Sequence, residues 1–95
     1  MQPDPEASNA DQVRAFCRER YVEPARRRGD YSVTIRAGDV HKELNFKNRL
    51  PLVCAALGAA IFEQSLDMTR VAIYGPLNGS STLFTFLFRE KITAI

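Results

Sequence analysis

Read along the chain, the apolar positions first follow a helical rhythm. Val13, Phe16, Cys17 and Tyr21 recur at three- and four-residue spacing, which sets them on one stripe, with Arg14, Arg18 and Glu19 opposite. Asn9 or Asp11 is placed to cap that helix. Residues 1–9, with Pro3 and Pro5, carry no periodicity and read as a flexible leader. Pro24 either interrupts the helix or restarts it as a first-turn residue of a short second segment. The run Ala25-Arg26-Arg27-Arg28 then meets Gly29, a C-terminal stop. At YSVTIR (31–36) the period falls to two and β-branched residues take over, which predicts a short strand. Ala37-Gly38 breaks it. Asp39 is placed to cap a second main helix, running to about Asn45, with Val40 and Leu44 inward.

After the turn Phe46-Lys47-Asn48 a third helix is expected, capped by Asn48 and carrying Pro51 in its first turn, where a missing N–H costs nothing. Its inward stripe reads Leu50, Val53, Cys54, Leu57 and Ile61; Leu52, Ala55, Ala56 and Ala59 read as outward. Residues 62–68 read as a connection. RVAIY (70–74) and residues 81–88 then read as strands around GPLNGS (75–80), whose Gly-Pro and Asn-Gly steps signal a turn. Phe84, Phe86 and Phe88 share the core face. Leu83 and Leu87 point the other way, which predicts cover by the first helix or the leader, or a homodimer contact.

The order helix, strand, helix, turn, helix, hairpin predicts an α+β domain, with three main helices on a small antiparallel sheet that ends in a β-hairpin. It would occupy residues 10–92, with 93–95 as a tail. A chain of 95 residues can bury a core without staples. No apolar run approaches a membrane span, and the acidic opening lacks the apolar segment of a signal peptide, so a cytoplasmic location is expected. Cys17 and Cys54 sit among apolar neighbours with no second metal ligand at useful spacing, so both read as buried thiols.

The net charge of +2 conceals an asymmetry. Residues 14–49 hold ten Lys and Arg against five Asp and Glu, which gives +5 and leaves −3 for the rest. A one-sided basic field is what a polyanion binder needs.

The stretch VTIRAGDVHKELNFKNRLPLVCAALGAAIF, followed by a hairpin, resembles the winged helix-turn-helix domains, over about residues 10–90. Thr34-Ile35-Arg36 matches the strand that leads into the second helix, Asp39–Asn45 that helix, Asn48–Ala60 the third, and Gly75–Ser80 the wing tip. The resemblance implies a third helix laid into the DNA major groove and a wing on an adjacent backbone or minor groove. Asn48 and Arg49 would then stand where that helix first meets DNA, Arg49 pairing with guanine or gripping a phosphate. Lys47, His41 and Lys42 are placed for backbone contacts, and Arg26, Arg27, Arg28 and Arg36 would extend that surface. Leu52 faces the groove; Asn78, Ser80 and Ser81 offer hydrogen bonds at an uncharged wing tip.

The expected function is binding of double-stranded DNA, as a transcriptional regulator or the DNA-recognition subunit of a larger assembly, through a homodimer. The alternative is a winged-helix module that docks a protein through Leu52, Ala55, Ala56 and Ala59, whose apolar character is unusual for a helix that reads bases. An enzyme is not expected, and neither is a cofactor or a metal. The chain shows no His paired with Asp or Cys at a usable spacing, no Gly-rich phosphate loop and no ligand cluster.

Overall fold

The first helix starts inside the expected leader. In the computed structural model, which describes residues 5–89, α1 spans Pro5–Cys17. A proline fits a first helical turn because its fixed φ is already helical and its missing N–H would have no partner there. The rest of the leader, residues 1–4, and the expected tail 93–95 lie outside the described residues.

Pro24 restarts the helix. The segment Arg18–Val22 is a π-helical turn, in which the N–H of Glu23 reaches back five residues to the carbonyl of Arg18. That extra residue moves the hydrogen-bond ladder past the proline, and α2 (Glu23–Arg27) follows. Gly29 ends it as expected: its φ is +81°, and the Asp30 N–H closes on the Ala25 carbonyl at 3.0 Å.

Strand β1 (Ser32–Arg36) alternates exposed and buried side chains and runs straight into α3 (Ala37–Glu43). After a turn come α4 (Leu50–Gly58) and α5 (Ala60–Ser65), then β2 (Met68–Tyr74) and β3 (Leu83–Phe88). The sheet is antiparallel in the order β1-β3-β2, with Val33 opposite Phe86 and Ile73 opposite Phe84. A bulge at Val71 interrupts β2. The result is a compact α+β domain with a small three-stranded sheet. Phe84, Phe86 and Phe88 on β3 are all buried with Val33, Ile35 and Met68 against Val13, Cys17, Val40, Val53, Leu57 and Phe62 from the helices.

Three further boundaries differ from the expectation, for related reasons. Asp39 does not cap α3: the helix begins two residues earlier, and Asp39 pairs with Arg36 at 2.9 Å. The orphan N–H groups of Ala37 and Gly38 go instead to the carbonyls of Thr82 and Ser80, at 2.9 and 2.8 Å. Asn48 does not cap the next helix either; Arg49 is its N-cap residue. The expected single third helix breaks at Ala59, whose ψ is 139°, and residues 60–65 form α5 where a connection was expected. Arg70 accounts for that break by donating from Nη1 to the freed Gly58 carbonyl at 2.5 Å, while its backbone N–H donates to Glu63 at 2.9 Å. The break resets the helical phase, which leaves Ile61 60% exposed. Ala56 is buried because α4 lies between α1 and α3.

Candidate nucleic-acid interface

The turn from α3 to α4 is built from two asparagines in the left-handed region, Asn45 (φ +59°) and Asn48 (φ +56°). Asparagine enters that region more readily than other side chains. Their neighbour His41 holds the turn together. Its Nε2 accepts the Arg49 backbone N–H at 3.1 Å, and its ring meets Phe46 edge-on at 6.1 Å. His41 is therefore half-buried and committed to the start of α4, a different role from the backbone contact expected of it.

His41 takes only the Arg49 backbone N–H, and the Arg49 side chain is exposed. Lys42, Lys47, Asn48 and Arg49 are all exposed around this turn. Among the described residues, no ion pair engages Lys42, Lys47 or Arg49. The carboxylates of the basic half are mostly answered elsewhere. Glu23 meets Arg18, Glu43 meets Arg20, Asp30 meets Arg28 and Asp39 meets Arg36, at 2.8 to 3.4 Å, while Arg14 is met by Asp11 from outside that half at 2.9 Å. The positive excess is thus concentrated at the α3–α4 turn.

The arginine triplet does not join that surface as a unit. The Arg26 guanidinium sits 4.6 Å over the Phe88 ring and donates to the carbonyls of Leu66 and Asp67, so its charge is used inside the fold. Arg28 forms a fork with Asp30, at 2.8 and 3.1 Å. Arg27 is exposed. Arg36 is exposed but paired with Asp39.

The outward side of α4 carries Pro51, Leu52 and Ala55, and these line a groove of about 450 Å³ with Asn48 and Arg49. A second groove of about 300 Å³ begins at Ala55 and runs under the hairpin, with Cys54, Gly58, Ile73, Leu77 and Phe84 along it. The hairpin tip folds into a closed turn. Thr82 is buried, its hydroxyl donates to the Pro76 carbonyl, and it accepts the Gly79 N–H at 3.2 Å. Asn78, Ser80 and Ser81 are exposed on that tip, although the Ser80 carbonyl is taken by Gly38. Leu83 and Leu87 are half-buried on the sheet face away from the phenylalanines, Leu83 beside Arg36 and Tyr74, Leu87 beside Ser32 and Thr69.

Behind the turn lies a polar cluster that the sequence pattern did not single out. Glu43 accepts the Tyr21 hydroxyl at 2.8 Å and Arg20 Nε at 3.0 Å. The Tyr21 bond first, and then that of Arg20, hold its carboxyl below the ordinary carboxylate range. Burial, helped by Glu43, pushes the Tyr21 phenol up. Burial also pushes the Cys17 thiol up to about 12, with the Glu43 charge a smaller cause. Cys54 is raised by burial as well, against a backbone hydrogen bond from Asn78. Among the described residues, no group of three His, Cys, Asp or Glu side chains is placed to hold a metal ion, and no helix is long and apolar enough to cross a membrane.

Comparison with family models, with curated proteins and with solved structures gave no match in any of the three.

Proposed function

We propose that the chain is a winged helix-turn-helix domain that binds double-stranded DNA, with α3 and α4 as the helix-turn-helix and residues 75–80 as the wing. The sequential order of the elements and the β1-β3-β2 sheet suit that reading. The observation that carries it is the trio Lys42, Lys47 and Arg49 beside the start of α4, exposed and engaged by no ion pair among the described residues. Phosphate oxygens are the natural partners of such a cluster beside a helix N-terminus. A transcriptional regulator or the DNA-recognition subunit of an assembly would use it in this way, and a homodimer would double the phosphate contacts. The test is a nuclear magnetic resonance titration of the chain with a 20-base-pair duplex. Amide shifts concentrated at residues 42–52 support the interface; shifts confined to the sheet, or none, refute it.

A protein-docking role is favoured by a separate observation. The groove between α4 and the hairpin is mainly apolar, and Leu77 beside it is 91% exposed, with Ile73 and Tyr74 at 50% and 66%. On that reading the grooved face accepts an apolar side chain of a partner, and the same titration leaves the 42–52 amides unmoved.

A further inference from the structure

We infer that this interface, on the DNA reading above, holds the duplex by charge and shape and reads almost no base sequence. Base edges in the major groove are told apart by paired hydrogen bonds from side chains. On α4 the outward positions are Pro51 and Leu52 in the first turn, then Ala55 and Gly58, with Ala59 at the C-cap, and none has a side-chain donor or acceptor. The helix is also short. Nine residues make a rod of about 13 Å, and the chain turns away at Ala59 instead of continuing along a groove.

The polar groups that remain are few. His41 Nε2 is spent on the Arg49 backbone, and Arg36 on Asp39. The hairpin tip carries no cation, and its Ser80 and Thr82 carbonyls are used by α3. At the start of α4 only Asn48 and Arg49 carry exposed side chains suited to pairing with a base edge, and the hairpin tip adds the short, uncharged side chains of Asn78, Ser80 and Ser81. A bidentate contact discriminates by roughly tenfold to a hundredfold, whereas sequence-specific binders favour their sites by about a thousandfold or more. Lys42 on α3 and Lys47 in the turn lie off the α4 helix and are assigned to phosphate, contacts that carry no sequence information. The ligand class is therefore B-form duplex DNA of any sequence.

The test measures affinity by fluorescence anisotropy for three 20-base-pair duplexes, one A·T-rich, one G·C-rich and one mixed, at fixed low salt, together with selection from a randomised duplex library. Dissociation constants within about tenfold of one another, and selected sequences sharing no more than two fixed base pairs, support the inference. A ratio above a thousandfold, or a recovered motif of four or more fixed positions, overturns it while leaving the DNA reading in place. No binding to any duplex overturns both. The variant Leu52→Ala separates methyl recognition from backbone grip. Any change in affinity should be the same for all three duplexes, and a loss of tenfold or more on the A·T-rich duplex alone would show that Leu52 reads thymine methyl groups, contrary to the inference.

Discussion

Three consecutive arginines do three different jobs. Arg26 caps the Phe88 ring and bonds two backbone carbonyls, Arg28 pairs with Asp30, and Arg27 projects into solvent. Replacing Arg26 by Gln removes a cation–π contact and strands the partly buried Leu66 carbonyl, so urea denaturation should show a loss of about 1–3 kcal/mol. Arg27→Gln should stay within about 0.5 kcal/mol, as surface substitutions do. Equal losses in the two variants would contradict the assignment. Glu43 gives a pH prediction. Its folded carboxyl is held low by Tyr21 and Arg20, so the stability it contributes is present above the ordinary carboxylate range and is lost as pH falls through the lower folded value. The gap in thermal midpoint between the parent chain and Glu43→Gln should be widest near neutral pH and close as pH falls below the ordinary carboxylate range. A gap independent of pH would mean that the hydrogen bonds leave Glu43 ionisation untouched.

At the scale of elements, α3 and the hairpin meet at Gly38 with no room for a side chain. A Cβ at Gly38 would sit 2.4 Å from the Ser80 carbonyl oxygen, a backbone atom that cannot swing aside. Gly38→Ala should therefore cost about 1–3 kcal/mol, through displacement of the hairpin, in the same denaturation assay. An unchanged midpoint would show that the hairpin is not docked on α3. Val53→Asp should abolish cooperative folding, because Val53 is fully buried in α4 and a lone carboxylate there would have no partner. A soluble mutant with a native circular dichroism spectrum would contradict that placement.

These same elements show where the sequence could be read and where it could not. The alternation of β1 and β3, the Gly29 stop and the buried Val53, Cys54 and Leu57 were legible, because each follows from local spacing alone. The caps of α3 and α4 were not. The N–H groups at those starts go to Thr82, Ser80 and, at Arg49, to His41, partners that the fold brings in from other elements, and no local Asp or Asn takes them. The break before α5 depends in the same way on Arg70, twelve residues beyond Gly58. Of the candidate site, the outward position of Lys47, Asn48 and Arg49 was legible from the turn composition. The inward commitment of Arg26 and His41 was not, since it rests on the Phe88 ring in one case and on the Arg49 backbone in the other.

At the scale of the whole molecule, charge and apolar surface divide one continuous face. The open end of α4 is cationic, and the end under the hairpin is lined by Ile73, Leu77 and Phe84; the two grooves meet at Ala55. A duplex and a protein partner therefore make opposite demands on salt. Cations on phosphate release counterions, and the logarithm of affinity falls by about 0.9 per logarithm of salt for each phosphate neutralised. Apolar docking has no such slope. The decisive measurement is the salt dependence of binding to a 20-base-pair duplex for the parent chain and for the triple variant Lys42→Gln, Lys47→Gln, Arg49→Gln. The account predicts a slope of about −3 for the parent and a nearly flat, much weaker response for the variant. Equal slopes for the two chains, or no binding by the parent at low salt, would contradict it.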